Sequence, residues 1–424
     1  MKGANKMSSK VKVNKTQPII ALIISIFILA LGIYLGGKLI VFLLSGVALG
    51  YILTRSRFGF AGGIKRIYIT GEGSLSKALL IMFAISIISS AVIHMNAAAN
   101  GAAIPGITSV HFLNISTILG GFIFGIGMMI AGGCASGTLS DLGEGAMRAA
   151  IALIFYIIGT FPGLEAKYFI DNSSIGKIGT RVYLPDVMGY IGAVILSLLF
   201  LFGLYLLVKK YEAFRKEEGF YEENIYEQDE LPLPKQEKFT LFSYNTYHKL
   251  FIQRWSFLKG GILLAIMFAI IQLTSGHSWG ITAAFTNWGV AFFQLFGVEF
   301  TSPAFSTTVN TVNNGLLNDT VGLRNLGIIL GATIAFLLAG RFKFDLDFKL
   351  KDILYYVLGG LFMGFGARLA GGCNVGALYS GIGNFSLSGW VYFIALALGG
   401  IFALKFFAGK VNTVPPDRHE KEVA

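Results

Sequence analysis

Leu119 to Gly137, LGGFIFGIGMMIAGGCASG, returns 239 residues later at Leu358 to Gly376 as LGGLFMGFGARLAGGCNVG. Ten of the nineteen positions are identical, among them Gly120, Gly121, Gly125, Gly127 and the run Ala131-Gly132-Gly133-Cys134. The chain is therefore a duplication. Its only two cysteines, Cys134 and Cys373, hold the same place in each copy. Each follows a Gly-Gly pair that interrupts a long apolar run, which predicts two broken helices bringing two thiols towards one site.

Around that repeat, 54% of the residues are hydrophobic, 13% are charged and the mean hydropathy is +0.67. Those values exclude the soluble globular class. Apolar runs close to the roughly 20 residues needed to cross a bilayer recur along the chain, so the predicted class is an all-α polytopic membrane protein. No stretch between the runs is long enough for a separate soluble catalytic domain. Two cysteines cannot make a disulfide framework, and a zinc site wants more ligands nearby, so both thiols are read as free and neither metal nor cofactor is expected. The net charge of +11 does not point to nucleic acid, because Lys and Arg gather at the ends of apolar runs, as orienting charges do.

Five lysines and no acid in the first 17 residues predict a cytoplasmic start. No small-residue cleavage site follows the first apolar run, which is therefore read as a retained span. The expected layout is an N-terminal arm and extra first span over 1–37, a first repeat half plus an extra span over 38–208, a charged cytoplasmic linker over 209–254, a second half over 255–408 and a cytoplasmic tail over 409–424. Ten crossings are predicted, near 18–35, 38–54, 78–93, from Ile115, 149–164, 187–208, 257–274, 323–340, from Asp352, and 388–408. Arg55, Arg57, Lys65 and Arg66 fix the orientation, placing both termini in the cytoplasm. Residues 58–76 are too polar to cross and are read as a half-inserted hairpin or a cytoplasmic loop. Residues 279–297 occupy the matching place in the second half and either cross or re-enter. Counted this way, the first repeat core runs inwards and the second outwards. Inverted repeats whose broken helices meet near the midplane are the build of many solute transporters.

Irregular backbone persists in a membrane only where it lines a cavity or is buried in protein, so the two breaks imply a cavity. Short helices are expected to resume from about Gly137 and Gly376, offering free N–H groups to an anion. A thiol adds a soft, polarisable donor. The predicted path is thus Cys134, Cys373, Gly132, Gly133, Gly137, Gly371, Gly372 and Gly376, with no catalytic residue. Gly121, Gly125, Gly360 and Gly364 are read instead as helix-packing positions. Arg368, inside an apolar run, and Glu144 are the candidates for drawing an anion inwards or for gating. Asp141 and Arg148 are read as interfacial, and His94 and His277 as residues near span ends.

The doubled A-G-G-C-x-x-G, together with Arg57-Phe58-Gly59-Phe60-Ala61-Gly62 and Gly280-Ile281-Thr282, resembles the YeeE/YedE family of bacterial inner-membrane proteins, the sulfur-transport group. The likeness spans residues 40 to 408. It implies uptake of thiosulfate, handed between cysteine thiols along a central path, with Cys134 and Cys373 as the relay. Thiosulfate importers of that family carry a further cysteine where this chain has Phe60 to Gly63, and the chain looks closer to the YedE branch, some of whose members are linked to selenium metabolism. The implied partners are a small inorganic sulfur or selenium anion, the lipid bilayer, and a separate sulfur-carrier or rhodanese-like cytoplasmic protein.

The leading expectation is an importer of a small sulfur-containing anion, with a selenium compound as the alternative cargo. A membrane-bound thiol enzyme is the alternative of another class, but neither Gly-Gly-Cys motif has a histidine near it in sequence to activate the thiol. No phosphate-binding G-x-x-x-x-G-K-[ST] loop is present, so the chain alone does not pump with ATP.

Overall fold

The computed structural model describes residues 16–223, 227–234, 240 and 243–415. The lysine-rich start and most of the charged tail lie outside the described residues. The helices in chain order are α1 (Thr16–Leu35), α2 (Leu39–Ser56), α3 (Phe60–Thr70), α4 (Ser74–Ala99), α5 (Ile115–Ile130), α6 (Ala135–Gly143), α7 (Met147–Asn172) and α8 (Leu184–Glu217). After the linker come the short α9 (Tyr244–Tyr247), α10 (Phe257–Ser275), α11 (Thr282–Gln294), α12 (Ser306–Asn313), α13 (Thr320–Leu338), α14 (Leu350–Leu369), α15 (Ser380–Gly383) and α16 (Leu387–Phe406). Among the described residues, ten helical segments are long and apolar enough to cross a membrane, at the ten places read from the sequence. The chain is an all-α multi-pass membrane protein. Its strands are a two-residue pair, Phe112–Leu113 against Thr180–Arg181, that ties the loop before α5 to the loop before α8.

The two segments set apart from the ten spans, 58–76 and 279–297, contain short helices. At 1.5 Å per residue, α3 and α11 rise about 16 and 20 Å, less than the roughly 30 Å apolar core of a bilayer. Two expected boundaries move outwards. The span read to 208 continues as helix to Glu217, because Arg215 folds back to donate to the carbonyls of Tyr68 (2.7 Å), Ile69 (2.9 Å) and Phe220 (2.7 Å). The span read to 164 continues through Pro162 to Asn172.

Inside lipid there is no hydrophobic drive to bring helices together, so close packing of small residues decides who pairs. The closest pairings are α7 with α14, α2 with α13, α5 with α16 and α5 with α14. Helices α5 and α14 run antiparallel, since Gly120 faces Gly366 and Ala370 while Gly127 faces Gly359. Gly125 lies so close to α16 that a Cβ there would stand 2.3 Å from the Leu396 carbonyl oxygen, and Gly364 lies so close to α7 that its Cβ would stand 2.1 Å from the Tyr156 carbonyl oxygen. These contacts exchange the halves: Gly125 and Gly364 are repeat partners, and so are Leu396 and Tyr156. Helices α1 and α8 stay peripheral and turn Ile23, Phe27, Leu199 and Phe202 outwards, as a lipid-facing surface requires.

Candidate functional site

The two breaks share one backbone solution. Gly132 (φ +86°) and Gly371 (φ +80°) adopt the left-handed conformation that glycine takes without steric cost. Two residues later, Cys134 (φ −87°, ψ −176°) and Cys373 (φ −99°, ψ −164°) are extended and stand at the N-cap of the next helix. The Cys134 carbonyl accepts from the Thr138 N–H at 2.7 Å, and the Cys373 carbonyl from the Ala377 N–H at 2.8 Å. The short helices therefore begin at Ala135 and Asn374, just after each cysteine, and not from Gly137 and Gly376 as the glycine spacing implied.

The second copy differs in one respect. Ser140 and Gly143 answer to Ser380 and Gly383 at an offset of 240, one more than before the break. The extra residue is taken up by a π-helical turn over Asn374–Tyr379 where the first copy has plain α-helix. Such single-residue bulges often lie at functional sites. Here the turn places the Tyr379 hydroxyl 2.6 Å from Ser86 Oγ and its ring 4.7 Å from Phe268.

Both thiols are buried, at 1% and 0% exposure, and neither is in a disulfide. The short helices that follow them pack against each other. Cys134 Sγ lies 3.3 Å from Ser136 Oγ, and the Val375 and Gly376 N–H groups face the Cys373 sulfur. Tyr156 of α7 and Tyr392 of α16 are fully buried, and each stands within electrostatic range of both sulfurs. Neither hydroxyl has a hydrogen-bond partner among the described residues. Arg368 comes in beside Tyr156 and its Nε is likewise buried without a partner, as is Asn374 Oδ1. A Cβ at Gly376 would meet nothing within 4 Å, so open space adjoins the turn whose N–H faces the second thiol.

On the side of the molecule where the linker lies, a cavity of about 190 Å³ leads to the first thiol, lined by Gly132, Gly133, Cys134 and Gly137 together with Arg57, Arg66, Asp141 and Glu144. Its charges are paired. Arg57 donates to Glu144 at 2.8 Å and to Glu230 of the linker at 3.0 Å, and Arg341 joins Glu227 and Glu230. Arg148 meets Asp141 at 2.5 Å. Burial pushes the Glu144 carboxyl up to about 7, with Arg57 pulling the other way. Around the second break, Gly372 is packed, its Cβ position 2.5 Å from the Ala377 nitrogen, and Gly371 faces the His111 ring. Burial, reinforced by Lys167 and Arg181, holds His111 down to about 4. His94 sits 2.9 Å from the Tyr183 hydroxyl, and His277 is exposed.

Thus the breaks, the thiols and Arg368 come together, whereas Glu144 belongs to the charge cluster at the cavity mouth. A sulphur transport family model matches residues 55–402. The chain belongs to that family. The thiosulfate transporter TsuA of Spirochaeta thermophila is 27% identical over 364 residues, covering 84% of this chain and 95% of that protein. The Escherichia coli thiosulfate transporter TsuA is 28% identical over 370 residues, 84% and 91% of the two chains. The probable transporter YedE of E. coli is 33% identical over 168 residues, 40% and 42% of the two. The named relatives of this sulphur transport protein are transporters, and the enzyme alternative is set aside. Sequence reasoning missed Tyr156 and Tyr392, since a tyrosine within an apolar helix carries no local sign of facing a site.

Proposed function

We propose that the protein imports a small sulfur-containing anion of the thiosulfate type through a central path that passes Cys134 and then the cavity on the linker side. The supporting observation is that both thiols sit at helix starts and share the same two buried, unpartnered tyrosines. In this reading the protein lies in the inner membrane with the linker and both termini cytoplasmic, and its halves are inverted repeats whose breaks meet near the midplane. The exchanged glycine contacts support that inversion. Thiols and helix N–H groups replace part of the anion's hydration. Arg368 supplies attraction at the centre, and the Arg57–Glu144 pair stands at the exit. A separate sulfur-carrier or rhodanese-like protein would receive the solute. A selenium anion is the alternative cargo.

Uptake of labelled thiosulfate into proteoliposomes, competed with sulfite, sulfate and selenite, tests the reading. Thiosulfate is expected to compete best, and Cys134→Ala and Cys373→Ala are each expected to cut uptake while the protein still inserts. Uptake unchanged in the double variant would remove the thiol path, and preferential competition by selenite would reassign the cargo.

A further inference from the structure

We infer that Tyr156, Tyr392 and Arg368 form an oxygen-binding pole of the central site and select an anion that carries sulfonate-type oxygens next to its sulfur end. This rests on the transport reading above.

The physical ground is an imbalance of donors. A buried hydroxyl without a partner is destabilising, and buried polar groups in folded proteins are overwhelmingly paired. Here two tyrosines at 0% exposure, on different helices from different halves, both leave the hydroxyl unpartnered. The two rings are held in place. Tyr156 packs edge-on against Phe285 at 4.8 Å, and Tyr392 stands against Gly121 of α5. Arg368 adds a third buried donor, Nε, beside Tyr156. Phenol and guanidinium N–H groups are hard donors suited to oxygen, whereas a thiol is a soft donor suited to sulfur. Two hydroxyls and two thiols within electrostatic range of one another, with one guanidinium beside Tyr156, match a tetrahedral anion with oxygens at one end and sulfur at the other. Hydrosulfide lacks the oxygens, and sulfate lacks the soft atom. A site that hydrogen-bonds a ligand oxygen discriminates strongly against a ligand without one, because its own buried donors are then left unpaired.

Tyr156→Phe and Tyr392→Phe keep the rings and remove only the hydroxyls. Each is expected to raise the KM for thiosulfate about tenfold or more, the worth of a hydrogen bond to a charged group, with a smaller change in maximal rate. The competition ratio of sulfite to hydrosulfide should shift towards hydrosulfide. Melting temperature should stay level or rise, since an unpartnered buried hydroxyl has gone; a merely structural role would lower it and leave the ratio unmoved. Arg368→Lys tests the guanidinium separately. Unchanged KM and unchanged ratio in the double Phe variant, with cysteine variants still inactive, would overturn the oxygen pole and leave the transport reading standing. Absence of thiosulfate uptake by the unaltered protein would sink the transport reading itself.

Discussion

Replacing Gly364 by alanine adds one carbon where α14 crosses α7. That carbon would lie 2.1 Å from the Tyr156 oxygen, 2.8 Å from the Thr160 nitrogen and 2.9 Å from the Gly159 carbonyl carbon. Ordinary contact begins near 3.4 Å, so the difference of 3.4 and 2.1 requires the two backbones to part by about 1.3 Å. All three neighbours are backbone, and no side-chain rotation relieves the clash. Overpacking a core typically costs about 1–3 kcal/mol, and this geometry belongs at the upper end. Roughly 3 kcal/mol is about a hundredfold in the folded-to-unfolded ratio. Gly376→Ala is the matched control, because its added carbon meets nothing within 4 Å. In detergent, thermal melting followed by fluorescence-detected size exclusion should show Gly364→Ala losing monodisperse protein well below the unaltered chain, and Gly376→Ala melting with it. Gly125→Ala, 2.3 Å from the Leu396 oxygen, should resemble Gly364→Ala. Unaltered melting and uptake in Gly364→Ala would refute the claim that glycine here serves the approach of α14 to α7.

Arg215→Met should lower the melting point by the equivalent of about 2 kcal/mol or more, since it strands the carbonyls of Tyr68, Ile69 and Phe220 that Arg215 now serves; an unaltered melting curve would count against it. Acid should destabilise the protein through His111. Its folded pKa of about 4 lies below the ordinary 6.5, so the unfolded chain binds the proton first. That contribution is whole above pH 6.5 and is lost as pH falls towards 4; His111→Asn should flatten this part of a melting-versus-pH series, and a series of identical slope would remove the assignment.

Much of the fold was legible because membrane spans are long-range averages. Twenty apolar residues in a row read as a span whatever packs beside them, and all ten segments fall where the runs lie. The segments that average poorly were harder. Residues 279–297 are as apolar as some spans but yield only the 13-residue α11, since helix begins at Thr282, after Trp279 is locked in the core by the Ser380 hydroxyl on its carbonyl at 2.6 Å. The run of α8 past Lys209 was invisible for another reason. Its end is set by where Arg215 finds carbonyls, some of them about 145 residues away in sequence.

The candidate site divides along the same line. A broken helix is a local event: Gly-Gly in an apolar run, a left-handed glycine, then a residue at the N-cap, all within four positions. Cys134 and Cys373 were therefore readable from their neighbours. Tyr156 and Tyr392 were not, because along the chain each is one more aromatic in a membrane helix, where an aromatic is normally core. What sets them apart is a hydroxyl left without a partner beside two sulfurs that come from the opposite ends of a 239-residue repeat. The one-residue slip that makes the π-helical turn acts on that same region. Ahead of that slip the copies already differ in sequence, Ser136 answering to Val375, and their thiols have unlike surroundings: Ser136 at Cys134, and the Val375 and Gly376 N–H groups at Cys373. A path with two identical stations has no preferred resting place, whereas two unlike stations can hold an anion with different strength on its way in. On the proposed transport reading, deleting the extra residue to restore the offset of 239 is expected to keep the fold while slowing thiosulfate uptake into proteoliposomes, and unchanged uptake would count against a role for the turn.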